Sequence, residues 1–290
     1  IISVRNRLSR ENMGRIRRAL IKFCSKKANV TVALSKMVKK DLIDEFNIDG
    51  KKIVTIYNHC DPALLHKLAA ETTKPNYIND ENVYITTMGR LNYQKGQWHL
   101  IRAFSKVVNE IENAYLIIIG AGELEERLKK LAKDLNVESH IIFTGYIKNP
   151  HKILEYSEMF VFPSLYEGLG NVLLEALAFN KAIISTDCVA GPREILAPNT
   201  SLETVATEIS KEKYGILIPP LDDKHFNSEE DLDINERNLA KAIVELHKNE
   251  LLRHSYEENA RERIADFSKE NIMYQCCLLY TSPSPRDRSL

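Results

Sequence analysis

The sequence predicts an α/β fold built on a doubly wound parallel sheet, and three observations carry that prediction. Between Asn82 and Phe267, short β-rich runs alternate with longer segments of helical period. The runs are continuously apolar, as in "AYLIII" (114–119), which is the habit of strands covered on both faces. Loops with unusual chemistry follow several of the runs, at 89–96, 120–122, 145–147 and 164–171.

Taken in order, residues 28–57 form a small unit of their own. "ANVTVALS" reads as a strand, "KMVKKDLIDEF" as a helix and "KKIVTIYN" as a strand. Residues 1–58 are therefore assigned to the last part of a Rossmann-like N-terminal domain, and the polar stretch 59–81 to a linker. The main domain, 82–275, opens with the strand "VYITTM" (83–88) and the helix "QWHLIRAFSKVVNEI". After "AYLIII", the spacing of Leu124, Leu128, Leu131 and Leu135 predicts one apolar helix face. "HIIFTG", "NPHKILEYS" and "MFVFPS" repeat the alternation, and "KAIIST" and "GILIP" supply two more strands. Residues 222–237 read as an acidic loop. The Ser/Pro/Arg-rich end, 276–290, is expected to be a disordered tail and is a candidate for non-native sequence. The working expectation is a fragment, with the N-terminal domain truncated and the C-terminal one complete.

The totals exclude several classes. Forty basic and forty acidic side chains among 290 residues leave no global field for nucleic acid. No apolar run reaches transmembrane length and no secretory pattern opens the chain. The five cysteines lack C-x-x-C spacing, which argues for a reducing cytosol rather than a disulfide framework. The first 27 residues carry nine Arg/Lys against one Glu, with Met13, Ile16, Leu20 and Phe23 at near-helical spacing. That segment, 5–27, is a candidate for peripheral contact with the inner face of an anionic membrane, or equally a helix packed on further protein.

The edge loops carry the chemistry, because ligands of an open parallel sheet sit outside the carboxyl ends of its strands. "MGRLNYQKG" (88–96) sets Arg90 and Lys95 on a loop bounded by Gly89 and Gly96. The two cations suit a diphosphate, and as solvated surface charges they would need no ligand. In "GAGE", Gly120 and Gly122 allow close approach of a ligand or simply a tight turn. "YEGLGNVLLEA" (166–176) places Gly168 and Gly170 before a helix N-terminus, where an anion is favoured. Glu175 then sits among apolar neighbours, and a carboxylate there needs a partner: Lys181, solvent, or a ribose diol.

Together, "GRLNYQKG", the G-x-G after a strand, "EGLGNVLLEA" with its E-x7-E spacing, and "STDCVAGPREIL" resemble the family-4 retaining glycosyltransferases of the GT-B fold. The resemblance implies a nucleotide-sugar donor, by family likeness a UDP-sugar, and a saccharide or lipid-linked acceptor, with no metal or other cofactor. It matches Arg90 and Lys95 to the diphosphate pair, Glu175 to the ribose carboxylate and Glu167 to the carboxylate facing the donor sugar. Gly168, Leu169, Gly170 and Asn171 match the loop whose amides touch sugar and phosphate. Gly145, Tyr146 and Ile147 match the loop that reads the base through its backbone. Two rivals remain: a nucleotide-sugar epimerase of the same fold, and a noncatalytic nucleotide-sugar-binding subunit. "DLD" (231–233) could offer a metal-binding D-x-D but reads as a solvated loop, and His59, His99, His140 and His151 read as structural or surface residues.

Overall fold

The computed structural model describes residues 1–5, 8–10, 14–224 and 227–281. Two sheets organise it. The small one joins β1 (Ile2–Val4), β2 (Thr31–Ala33) and β3 (Ile53–Thr55), all parallel, with α1 (Arg15–Lys27) and α2 (Lys36–Asp44) as its connections. The large sheet contains β4 (Val83–Met88), β5 (Ala114–Ile119), β6 (Ile141–Gly145), β7 (Met159–Phe162), β8 (Ala182–Thr186), β9 (Ser210–Glu212) and β10 (Gly215–Ile218). Its order is β6-β5-β4-β7-β8-β10-β9, parallel throughout except for β9 at the edge. Counted by its parallel strands alone, that is the doubly wound order 3-2-1-4-5-6, with the direction of winding reversed between β4 and β7.

The continuous apolar runs have the physical reason expected of them. Ile85, Leu116, Ile118, Val161 and Ile216 join one core, shared with α4 (Gln97–Val107), α5 (Glu125–Asp134) and α9 (Ile234–Lys248). Their strand neighbours Tyr84, Ile117, Ile119, Phe160 and Leu217 join the other, under α6 (His151–Tyr156), α7 (Asn171–Ala178), α8 (Pro192–Leu196) and α10 (Glu250–Ala265). Successive strand residues point to opposite faces, and both faces are covered, so the runs are mostly apolar, with Thr86 and Thr87 of β4 and Ser185 and Thr186 of β8 as buried hydroxyl exceptions. The leucine stripe behaves as its spacing requires, with Leu128 and Leu131 buried on α5.

Three sequence expectations need correction. The linker 59–81 contains a helix, α3 (Pro62–Ala70), capped by Asp61 and carrying Leu65 and Ala69 into the second core. Its one fully buried residue, Ala69, is small, and its other apolar positions are part-exposed, which weakened the periodic signal. Residues 276–281 are helical as the end of α11 (Lys269–Thr281), so the break at 276 falls inside an element; 282–290 lie outside the described residues. The segment 222–237 is only partly loop, since α9 begins at Ile234 with Asp233 and Glu236 forming a reciprocal capping box. β1 and β9, three residues each, were not anticipated.

On α1, Ile16, Leu20 and Phe23 are all exposed (87%, 59% and 61%), while Met13 lies outside the described residues. Among the described residues no helix is long and apolar enough to cross a membrane.

Candidate functional site

The four loops singled out in the sequence all leave carboxyl ends of parallel strands, β4, β5, β6 and β7. Those from β4 and β7 flank the point where the winding reverses. A cavity of about 620 Å³ opens there, lined by Gly89, Arg90, Gly120, Tyr146, Ile147, His151, Val172 and Glu175, with Leu65 reaching in from α3. A larger cavity of about 760 Å³ lies between α4, α9 and the β9 edge, where Lys106, Lys211, Lys241, Glu208 and Glu245 mix both charges without any edge loop.

Arg90 is 70% exposed and meets Glu123 at 3.3 Å. So exposed a pair contributes little, which leaves the guanidinium free to turn toward an anion. Lys95 is held differently. Its Nζ lies 2.5 Å from Glu167 Oε1, with the two side chains 18% and 7% exposed, and 5.1 Å from the Phe162 ring centre. Lys95 and Glu167 thus join across the reversal point beside the cavity, with Lys95 packed along Gly89. The proposed diphosphate cation and the proposed sugar carboxylate neutralise one another across 72 residues of chain.

Gly120 and Gly122 serve packing as well as access. A Cβ on Gly120 would overlap the Gly89 carbonyl, and one on Gly122 the backbone of Leu91. These close approaches hold the β4 and β5 loops backbone to backbone, and Gly122 does not line the cavity. Gly168, Leu169 and Gly170 are buried in the turn before α7, where Gly170 is the left-handed N-cap. Asn171 is exposed and accepts a hydrogen bond from Asn58 at 2.8 Å. Tyr146 is 80% exposed at the cavity mouth.

The partner of Glu175 is His151, whose Nε2 lies 3.2 Å from Oε2. Lys181 instead donates to the Glu155 carbonyl. The nearby Cys60 thiol is pushed up to about 12, by burial first and then by the Glu175 charge, so it stays protonated near neutral pH and is no nucleophile. His151, read from sequence as a structural or surface residue, lines the cavity. The available signal was its place directly after the β6 edge loop.

The acidic stretch resolves into structure. His99 Nδ1 (2.7 Å) and Arg102 Nε (2.7 Å) both reach Glu236 Oε1 in the core. Arg102 also donates to the carbonyls of Asn227, Glu230 and Asp231. His99, Asp233 and Glu236 come close enough to hold a metal ion, but the Arg102 guanidinium already supplies the positive charge there. Asp233, the second carboxylate of "DLD", is thus the N-cap of α9.

A reversed-winding parallel sheet, glycine-bearing edge loops and a cavity between them define a Rossmann-like domain that takes ligands at its carboxyl edge. Residues 70–227 match the family described as Glycosyl transferases group 1, and the chain belongs to that family. It is 37% identical over 264 residues to an uncharacterized glycosyltransferase of Methanocaldococcus jannaschii, covering 89% of this chain and 64% of the relative. It is 28% identical over 257 residues to a Campylobacter jejuni N-acetylgalactosamine-N,N'-diacetylbacillosaminyl-diphospho-undecaprenol 4-alpha-N-acetylgalactosaminyltransferase, covering 89% and 61%. The chain therefore spans less than two thirds of either relative. Anabaena HepE in complex with UDP superposes with a TM-score of 0.77 at 18% identity, over 97% of this chain and 71% of that one. A Staphylococcus aureus TarM mutant in complex with fondaparinux, alpha-GlcNAc-glycerol and UDP gives 0.72 at 22% identity, over 97% and 50%. These likenesses give the fold, an α/β Rossmann-like domain of GT-B type.

Proposed function

We propose that this chain carries the donor-binding half of a family-4 retaining glycosyltransferase, which moves a sugar from a UDP-sugar to a saccharide or lipid-linked acceptor. The observation that carries the reading is the convergence of Gly89, Arg90, Gly120, Tyr146, Ile147 and Glu175 on one cavity, with Lys95 and Glu167 beside it. Arg90 would turn from Glu123 to the diphosphate, and Lys95 would share its charge between that diphosphate and Glu167. Both stabilise the departing diphosphate, the electrostatic role that dominates such transfers. Glu167 would orient the sugar, and Glu175 would accept from the ribose diol. With two cations and backbone amides facing the diphosphate, donor binding needs no metal in this reading. The names of the relatives, a transferase of N-acetylgalactosamine and two UDP complexes, support the substrate class.

The test compares UDP with 2′,3′-dideoxy-UDP by calorimetry. Glu175→Ala should weaken UDP binding about three- to tenfold and leave the dideoxy analogue unchanged, since only UDP offers the diol. The same titrations in EDTA should give the same affinities. Equal losses for both nucleotides would make Glu175 structural. The exposed Ile16, Leu20 and Phe23 beside Arg17, Arg18 and Lys22 also support peripheral contact with an anionic membrane surface. Cosedimentation with phosphatidylserine vesicles, but not with neutral ones, is the expected result, and Leu20→Glu should abolish it.

A further inference from the structure

A chain of hydrogen bonds runs from the helix between the two sheets into the cavity. The Asn149 amide donates from Nδ2 to the Leu68 carbonyl (2.6 Å) and to Thr72 Oγ1 (2.9 Å), tying the β6 loop to the end of α3. That fixes which end of the amide faces onward. Asn149 Oδ1 is left to accept from His151 Nδ1, 2.8 Å away. The imidazole lies parallel to the Phe179 ring, at 12° and 6.0 Å between centres, and is buried. Its other nitrogen faces Glu175.

We propose that His151 is a positioning residue for the donor: oriented by Asn149 and Phe179, it holds the Glu175 carboxylate at the angle in which it receives the ribose diol. This rests on the reading of Glu175 as the ribose carboxylate. A carboxylate has about four lone-pair positions on its two oxygens, so the bond from His151 to Oε2 leaves Oε1 and part of Oε2 for two hydroxyls. Without the imidazole, the Glu175 side chain keeps its rotamer freedom and the diol must immobilise it on binding. The imidazole thus spans Asn149 and Glu175, and its hydrogen bond to Oε2 sets the angle of the carboxylate.

His66 stands against Phe179, with its Nε2 at the Ala178 carbonyl (3.0 Å), and is the control.

The experiment measures the affinities of the 290-residue chain for UDP and 2′,3′-dideoxy-UDP, with thermal melts to verify folding. Because both nucleotides carry the same diphosphate, their ratio isolates the contribution of the diol. His151→Ala should weaken UDP about three- to tenfold and spare the dideoxy analogue. His151→Gln, whose amide can donate to the carboxylate at any pH, should restore most of the UDP affinity. His66→Gln should leave both affinities unchanged. If Glu175→Ala discriminates the two nucleotides but His151→Ala weakens both equally, or neither, the positioning role is overturned while the ribose reading stands. If His151→Gln loses as much UDP affinity as His151→Ala, the proposal is likewise wrong. If Glu175→Ala itself fails to discriminate, the ribose reading falls first and takes this inference with it.

Discussion

UDP should bind this chain roughly ten- to 150-fold more weakly after Lys95→Ala or Arg90→Ala, a loss of about 1.5–3 kcal/mol each, while uridine binding stays within twofold. The reason is that a charge-assisted contact to phosphate is lost and a nucleoside has none to lose. The two variants should differ in detail. Arg90 is mostly exposed, so its removal leaves little behind and its loss should fall at the lower end. Lys95 is the partner of a buried carboxylate, so Lys95→Ala also strands Glu167 and adds a cost to the free protein. The pairing predicts an opposite sign for Glu167→Gln. With its counter-charge removed, Lys95 is wholly available to the diphosphate, and UDP should bind more tightly. Calorimetry with UDP and uridine decides the matter. Equal losses for both ligands, or weaker UDP binding by Glu167→Gln, would remove Lys95 from the phosphate site.

Glu236→Ala should destabilise the fold by about 3–5 kcal/mol, the cost of breaking a buried ion pair from one side. The change leaves Arg102 charged in the core and takes away the carboxylate that His99 Nδ1 faces. It also removes half of the capping box at the start of α9. Burial alone would raise the Glu236 carboxyl, but hydrogen bonds from His99 and Arg102 and their charge hold it below the ordinary range. Its stabilising effect is therefore complete above the ordinary carboxylate range and is lost as pH falls through the lowered folded value. Urea unfolding should show a wide gap between wild type and variant at pH 7 that narrows on acidification. A gap that widened in acid, or a midpoint unchanged at pH 7, would show that the carboxylate is not the group holding Arg102.

What the sequence made legible is what local pattern encodes. β4, β5, β7, β8 and β10 announced themselves because burial on both faces leaves them mostly apolar, with only small hydroxyls such as Thr86 and Ser185 among the polar positions. The edge loops were found because each follows such a run. The pairings were not legible. Lys95 with Glu167, His151 with Glu175 and Glu236 with Arg102 are 72, 24 and 134 residues apart, and only the strand order brings them together. Glu175 shows the limit well. Its apolar surroundings revealed that it needed a partner, but the choice among Lys181, solvent and a ligand left out the histidine that the β6 loop delivers. α3 escaped for a different reason: it rests against the second core mainly through part-exposed apolar residues, so its periodicity was faint.

The opening of α2 has a mechanical consequence. Its first amides, those of Lys36 and Met37, donate at 2.7 and 3.0 Å to Glu194 on α8, which belongs to the large sheet. The hydroxyl of Tyr57, just after β3, donates to the same carboxylate at 2.9 Å. Three donors from the small sheet thus end on one side chain, and Arg263 braces the backbone behind it by donating to the Glu194 carbonyl at 2.7 Å. A rotation of one sheet against the other costs least when its axis passes through that carboxylate, because the three bonds then twist without lengthening. Any motion that pulled the sheets apart at this point would break all three together and leave two helix-start amides bare. Glu194 is thus a shared anchor of the two sheets, and the Lys40–Glu203 pair from α2 adds a second tie.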